Sequence, residues 1–73
     1  MNHYVTGAAI KALREKKRLT QQQLAEKLSV SDKAVSKWET GKGFPDISLL
    51  EPLASVLQVS LPELLSGEQI INA

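Results

Sequence analysis

Apolar residues recur along this chain at helical spacing, with polar residues filling the positions between them. Between residues 21 and 28, Leu24, Ala25 and Leu28 fall at i, i+1 and i+4 and so share one helical face. Between 32 and 40, Val35 and Trp38 recur at i and i+3, leaving Asp32, Lys33, Ser36, Lys37 and Thr40 on the other side. Only Ser29-Val30-Ser31 separates the two stretches, which is room for a tight corner. The chain is organised around this pair, because its second helix packs inward through Val35 and Trp38 and turns a polar face outward. Upstream, Ala9, Ile10 and Leu13 predict a first helix over 7–17, with residues 1–6 as a short arm. Downstream, Leu49, Leu50, Leu53, Ala54 and Leu57 predict a fourth helix. Pro52 removes a hydrogen bond from any helix interior, so that helix is expected to start near Leu50, after a tighter turn. A short fifth helix over 61–66 is stopped by Gly67, and residues 68–73 carry neither cap nor periodicity. The expected organisation is one domain over 1–67 and a tail, or the start of a linker, over 68–73.

Cap signals support this segmentation. Thr20 with Gln23 and Ser60 with Glu63 are capping boxes, in which each N-cap oxygen and the residue three places on satisfy two orphan N–H groups. Ser31 caps the helix from Asp32, and Gly41 offers a left-handed stop after Thr40. Leu19 with Leu24, Val30 with Val35 and Val59 with Leu64 stand at hydrophobic-staple spacing across these caps. No strand-period pattern or repeat occurs. The expected fold is all-α, five short helices around a core of Ile10, Leu13, Leu24, Leu28, Val35, Trp38, Leu50, Leu53, Leu57, Leu64 and Leu65.

Charge sharpens the picture. The net charge of +1 hides a strong asymmetry, because all nine lysines and arginines lie between Lys11 and Lys42. Residues 1–42 hold those nine bases against four acids, a balance of +5, while 43–73 hold four acids and no base, a balance of −4. A basic half beside an acidic half suits a polyanion on one side only. The chain has no cysteine and no apolar run near the ~20 residues of a membrane span, and its start lacks a signal-peptide pattern. A cytoplasmic location is expected.

Catalytic chemistry finds little support. The single histidine, His3, stands in the expected arm, and the absence of cysteine removes thiol nucleophiles and thiolate metal sites. No glycine-rich phosphate loop or metal-ligand spacing is present. No enzyme activity, cofactor, metal site or small-molecule site is expected.

The residues that carry a function are those of the helix pair. The stretches Leu19 to Ala25, Val30-Ser31 and Val35 to Gly41, written L-T-x-x-x-L-A, V-S and V-S-x-W-E-x-G, resemble the helix-turn-helix of phage repressor and Cro-type regulators, the xenobiotic-response-element family. The resemblance covers roughly residues 6–67 and departs at Ser29, where many members carry glycine in the turn. It implies a lambda-repressor-like domain whose third helix enters the major groove of double-stranded DNA. Base reading then falls to Asp32, Lys33, Ser36 and Lys37 on the outward face, where lysine can donate to guanine and aspartate accept from cytosine. Asp32 also suits the N-terminal dipole of its helix, and Ser36 also serves as a small solvent-face residue. Gln21 and Lys42 match positions where the family contacts phosphate. The family also pairs an arginine and a glutamate at the positions of Arg14 and Glu39. Physically, Glu39 sits near a helix C-terminus, where an acid needs a compensating cation.

These features imply a sequence-specific DNA-binding domain of a bacterial or phage-type transcriptional regulator. It would act as a homodimer on DNA, with the acidic, leucine-rich third as the dimer side. The alternative is a protein-interaction module of the same fold, such as an antitoxin or adaptor.

Overall fold

The computed structural model of the protein describes residues 2–67, so the expected tail at 68–73 lies outside the described residues. Five α-helices follow in order, α1 (His3–Lys16), α2 (Gln21–Leu28), α3 (Asp32–Glu39), α4 (Ile47–Leu57) and α5 (Leu61–Ser66), with no strand among the described residues. α3 packs against both α1 and α2, α4 lies against α2, and α5 closes on α1 and α4. No helix there is long and apolar enough to cross a membrane.

α1 corrects the expectation of an arm over 1–6 and a helix from Gly7. Asn2 caps it, its Oδ1 accepting the N–H groups of Tyr4 and Val5 at 2.9 and 3.2 Å. Thr6 is fully buried and its hydroxyl donates to the Leu65 carbonyl on α5 at 3.3 Å. Gly7 meets α3 so closely that a methyl group there would overlap the Trp38 carbonyl oxygen and lie 3.2 Å from its carbon. The first turn is therefore held by a cap and by tertiary contact, with no apolar stripe to announce it. Threonine and glycine are also weak helix formers, so local propensity points the wrong way.

The other starts follow the local signals. Thr20 and Gln23 exchange hydrogen bonds at 2.8 and 3.0 Å, Ser60 and Glu63 at 2.9 and 3.3 Å, and the Ser31 hydroxyl accepts from Ala34 N–H at 3.2 Å. α4 is the second correction, because it begins at Ile47 and carries Pro52 inside it. Asp46 caps it with Oδ2, accepting from the Ser48 hydroxyl at 2.5 Å and from the Ser48 N–H at 3.0 Å, bonds that hold its carboxyl below the ordinary range. Pro52 has no N–H to give the Ser48 carbonyl, but both residues are exposed, so that carbonyl can turn to water.

Ala9, Ile10, Leu13, Leu24, Ala25, Leu28, Val35, Trp38, Leu53, Ala54, Leu57 and Leu64 form one buried cluster. Leu50 is buried as well, whereas Leu65, expected in the core, is only half-buried. The helices stop alike. Leu19, Val30, Lys42 and Val59 donate N–H groups to the carbonyls of Arg14, Ala25, Lys37 and Ala54 at 3.1, 3.0, 2.9 and 3.1 Å. A left-handed residue precedes each donor, namely Arg18, Ser29, Gly41 and Gln58. These are Schellman closures, and only one of the four uses glycine.

Candidate nucleic-acid interface

The corner between α2 and α3 turns on Ser29, at φ 58° and ψ 40°. A left-handed serine costs about 1 kcal/mol relative to glycine, a local strain that the packing on either side of it outweighs. Beyond the corner, Val35 and Trp38 anchor α3, with Val35 fully buried and Trp38 5% exposed. That anchorage turns the opposite face outward. Asp32, Lys33 and Lys37 are exposed there and Ser36 is half-buried. Asp32 with Ser36, and Lys33 with Lys37, are each four residues apart and therefore neighbours on the helix surface. Lys33, Ser36, Lys37, Thr40 and Lys42 border a single shallow hollow of about 300 Å³. Asp32 stands at the first position of α3, where its charge favours the helix dipole.

A buried polar cluster fixes how α1, α2 and α3 meet. Arg14 donates from Nε to Glu39 Oε2 at 2.6 Å and from Nη2 to Glu39 Oε1 at 3.0 Å, a two-pronged pair, while Nη1 reaches the Leu19 carbonyl at 2.7 Å. The side chains of Arg14 and Glu39 are 11% and 2% exposed, so water does little of the pairing. The hydrogen bond to Glu39 raises the Arg14 pKa further above its ordinary value, against the effect of burial. Gln21 joins the cluster, its Nε2 donating to Glu39 Oε1 at 3.0 Å. Spacing in the sequence does not disclose that third arm, because it depends on how α2 crosses α3. Gln21 is also the first residue of α2, where a backbone N–H has no acceptor within the helix.

Lys42 follows Gly41, whose φ of 76° ends α3. The N–H groups of Lys42 and Gly43 both donate to the Lys37 carbonyl, at 2.9 and 3.3 Å, so the loop is tied to the helix that carries Lys33 and Lys37. The Thr40 hydroxyl is spent on the Ser36 and Lys37 carbonyls at 2.9 and 3.3 Å. From the other side, His3 stacks on Phe44 with ring centroids 4.8 Å apart, and the Tyr4 ring lies over Gly41. These two contacts have no sequence signal, since they join residues about 40 apart through the fold alone. The resulting surface offers three ammonium groups and a serine hydroxyl. Phosphate is held by such groups, and base edges are read by such side chains when a helix lies in a groove.

A helix-turn-helix family model matches residues 10–64. The chain is 50% identical over 63 residues to the HTH-type transcriptional activator BcrR of Enterococcus faecalis, a match that spans 86% of this chain and 31% of that protein. It is 41% identical over 59 residues to the HTH-type transcriptional regulator YqaE of Bacillus subtilis, across 81% of this chain and 51% of the relative. This chain thus spans about a third to a half of the curated relatives it matches. Among solved structures, the P22 c2 repressor in complex with a synthetic operator superposes with a TM-score of 0.81 at 35% identity, over 85% of this chain and 94% of that one.

Proposed function

From a chain that belongs to the helix-turn-helix family of Cro/C1-type transcriptional regulators, we propose a sequence-specific double-stranded DNA-binding domain that lays α3 in the major groove. The single observation that carries this reading is the division of α3. Val35 and Trp38 bury one face, while Lys33, Ser36 and Lys37 border an outward hollow with Lys42. The roles divide accordingly. Asp32, Lys33, Ser36 and Lys37 read base edges, and Gln21 and Lys42 hold phosphate and so set the register of the helix. The P22 c2 repressor, solved in complex with a synthetic operator, supports the choice of duplex DNA as the partner. The charge asymmetry agrees, because the helix pair lies wholly within the half that carries every lysine and arginine.

One helix-turn-helix reads only a few base pairs, so useful affinity calls for two copies on half-sites about one helical turn apart. The acidic third, with α4 and α5, is the side away from DNA and the side we assign to a homodimer. Relatives include an activator and a repressor, so the fold is compatible with either sign of regulation. The domain is taken as 1–67, acting in the cytoplasm.

Selection of bound duplexes from a random pool, followed by titration at several salt concentrations, tests the proposal. The selected duplex should bind about 10³-fold or more tighter than random duplex at physiological salt. Equal affinity for both, or no binding at low salt, would remove DNA reading from this account.

A further inference from the structure

Lys42 stands between Gly41 and Gly43, so the backbone on both sides of it is the most permissive a chain can have. The Lys42 and Gly43 N–H bonds to the Lys37 carbonyl tie this segment at one point, and whatever freedom it keeps is lost on meeting a phosphate, which weakens binding. Two rings from the first turn of α1 bear on the same segment. The Tyr4 ring covers Gly41, where an added methyl group would meet its Cδ1 and Cε1 at 2.5 and 2.6 Å. His3 stacks on Phe44, at the other end of the segment, with centroids 4.8 Å apart and planes inclined by 27°. Tyr4 is nevertheless 72% exposed, so its ring contributes little to the core. The fold already holds this end of α1 by the Asn2 cap and by buried Thr6 on the Leu65 carbonyl.

We propose that Tyr4, seconded by His3, is a positioning residue for DNA binding: it clamps the loop after α3 and holds Lys42 ready for phosphate. The inference rests on the phosphate role assigned to Lys42 above. It explains why an aromatic ring lies on a glycine at the surface, where burial alone gives no reason for it. The clamp acts through ring contact and not through the phenol. It acts on backbone contact and not on base choice, so its loss should weaken every sequence alike.

The test is a double-mutant cycle on random-sequence duplex DNA, read as affinity and as salt slope, with melting temperature as control. Tyr4→Ala should weaken binding by about 3- to 10-fold with its melting temperature nearly unchanged, the scale expected from freeing one side chain. Lys42→Ala should weaken binding and lower the salt slope by about one. In the Lys42→Ala background Tyr4→Ala should add nothing, and Tyr4→Phe should keep wild-type affinity in either background. Equal losses from Tyr4→Ala with and without Lys42, or a Tyr4→Phe as damaging as Tyr4→Ala, would overturn the inference in favour of direct contact by the phenol. A Tyr4→Ala without effect beside a weakened Lys42→Ala would overturn the clamp and leave the phosphate role standing. If Lys42→Ala itself binds as wild type, the phosphate role fails and the clamp with it.

Discussion

Among single residues, the most consequential is Glu39, which accepts three hydrogen bonds from two other helices while its side chain is 2% exposed. A buried carboxylate is tolerated only with such company, since its desolvation is otherwise too costly. The pair need not add net stability, because the attraction between the charges offsets a comparable desolvation cost. Breaking it is different, because one charge then stays buried alone. Arg14→Met and Glu39→Gln should each destabilise by roughly 3–5 kcal/mol, and the double substitution should cost less than their sum. Urea denaturation of the four proteins measures this, and strictly additive losses would mean that the two side chains do not act together. Glu39 has a local reason to need a cation, because it is an acid near a helix C-terminus, while its pairing with Arg14 is what the family resemblance implies and the structure shows. The phosphate role of Gln21 is what the resemblance implies, and its bond to Glu39 arises only once α2 and α3 are crossed.

Helix starts and helix stops differ in what they disclose. An N-cap is a local event, a short polar side chain bonding a backbone two or three residues on, so Thr20, Ser31 and Ser60 could be read from neighbours alone. The stops at Arg18, Ser29 and Gln58 adopt left-handed backbone without glycine, and nothing in their side chains announces it. The two misplaced starts have different causes. At α1 the apolar stripe begins a turn late, because Gly7 faces α3 with no side chain at all. At α4 the sequence presents Pro52 as a boundary, whereas an exposed Pro52 costs one solvent-side hydrogen bond and is tolerated. Gly7 gives the sharper test. On an open helix Gly→Ala gains up to about 1 kcal/mol, but here the methyl group would strike the Trp38 carbonyl oxygen. Gly7→Ala should therefore destabilise by about 1–3 kcal/mol, seen as a melting temperature lower by several degrees. A higher melting temperature would mean that α1 and α3 do not approach as described.

For the molecule as a whole, the fold class was legible because five amphipathic stretches with short connections leave few arrangements besides a helical cluster. The outward face of α3 was legible for the same reason, as the complement of Val35 and Trp38. What spacing could not supply is the company that face keeps: Lys42 beside Lys37 across the hollow, and the α1 rings behind the loop. The central claim is that this surface divides its work, with α3 reading bases and the loop holding phosphate. The most direct measurement compares Lys37→Ala and Lys42→Ala on the selected duplex, on single-base variants of it and on random duplex, across a salt series. Lys37→Ala should lose about 1–3 kcal/mol on the selected site and relax preference at one base pair, with little change on random duplex. Lys42→Ala should weaken all duplexes alike and lower the salt slope by about one. Identical losses from both substitutions on selected and random DNA would contradict α3 as the reader.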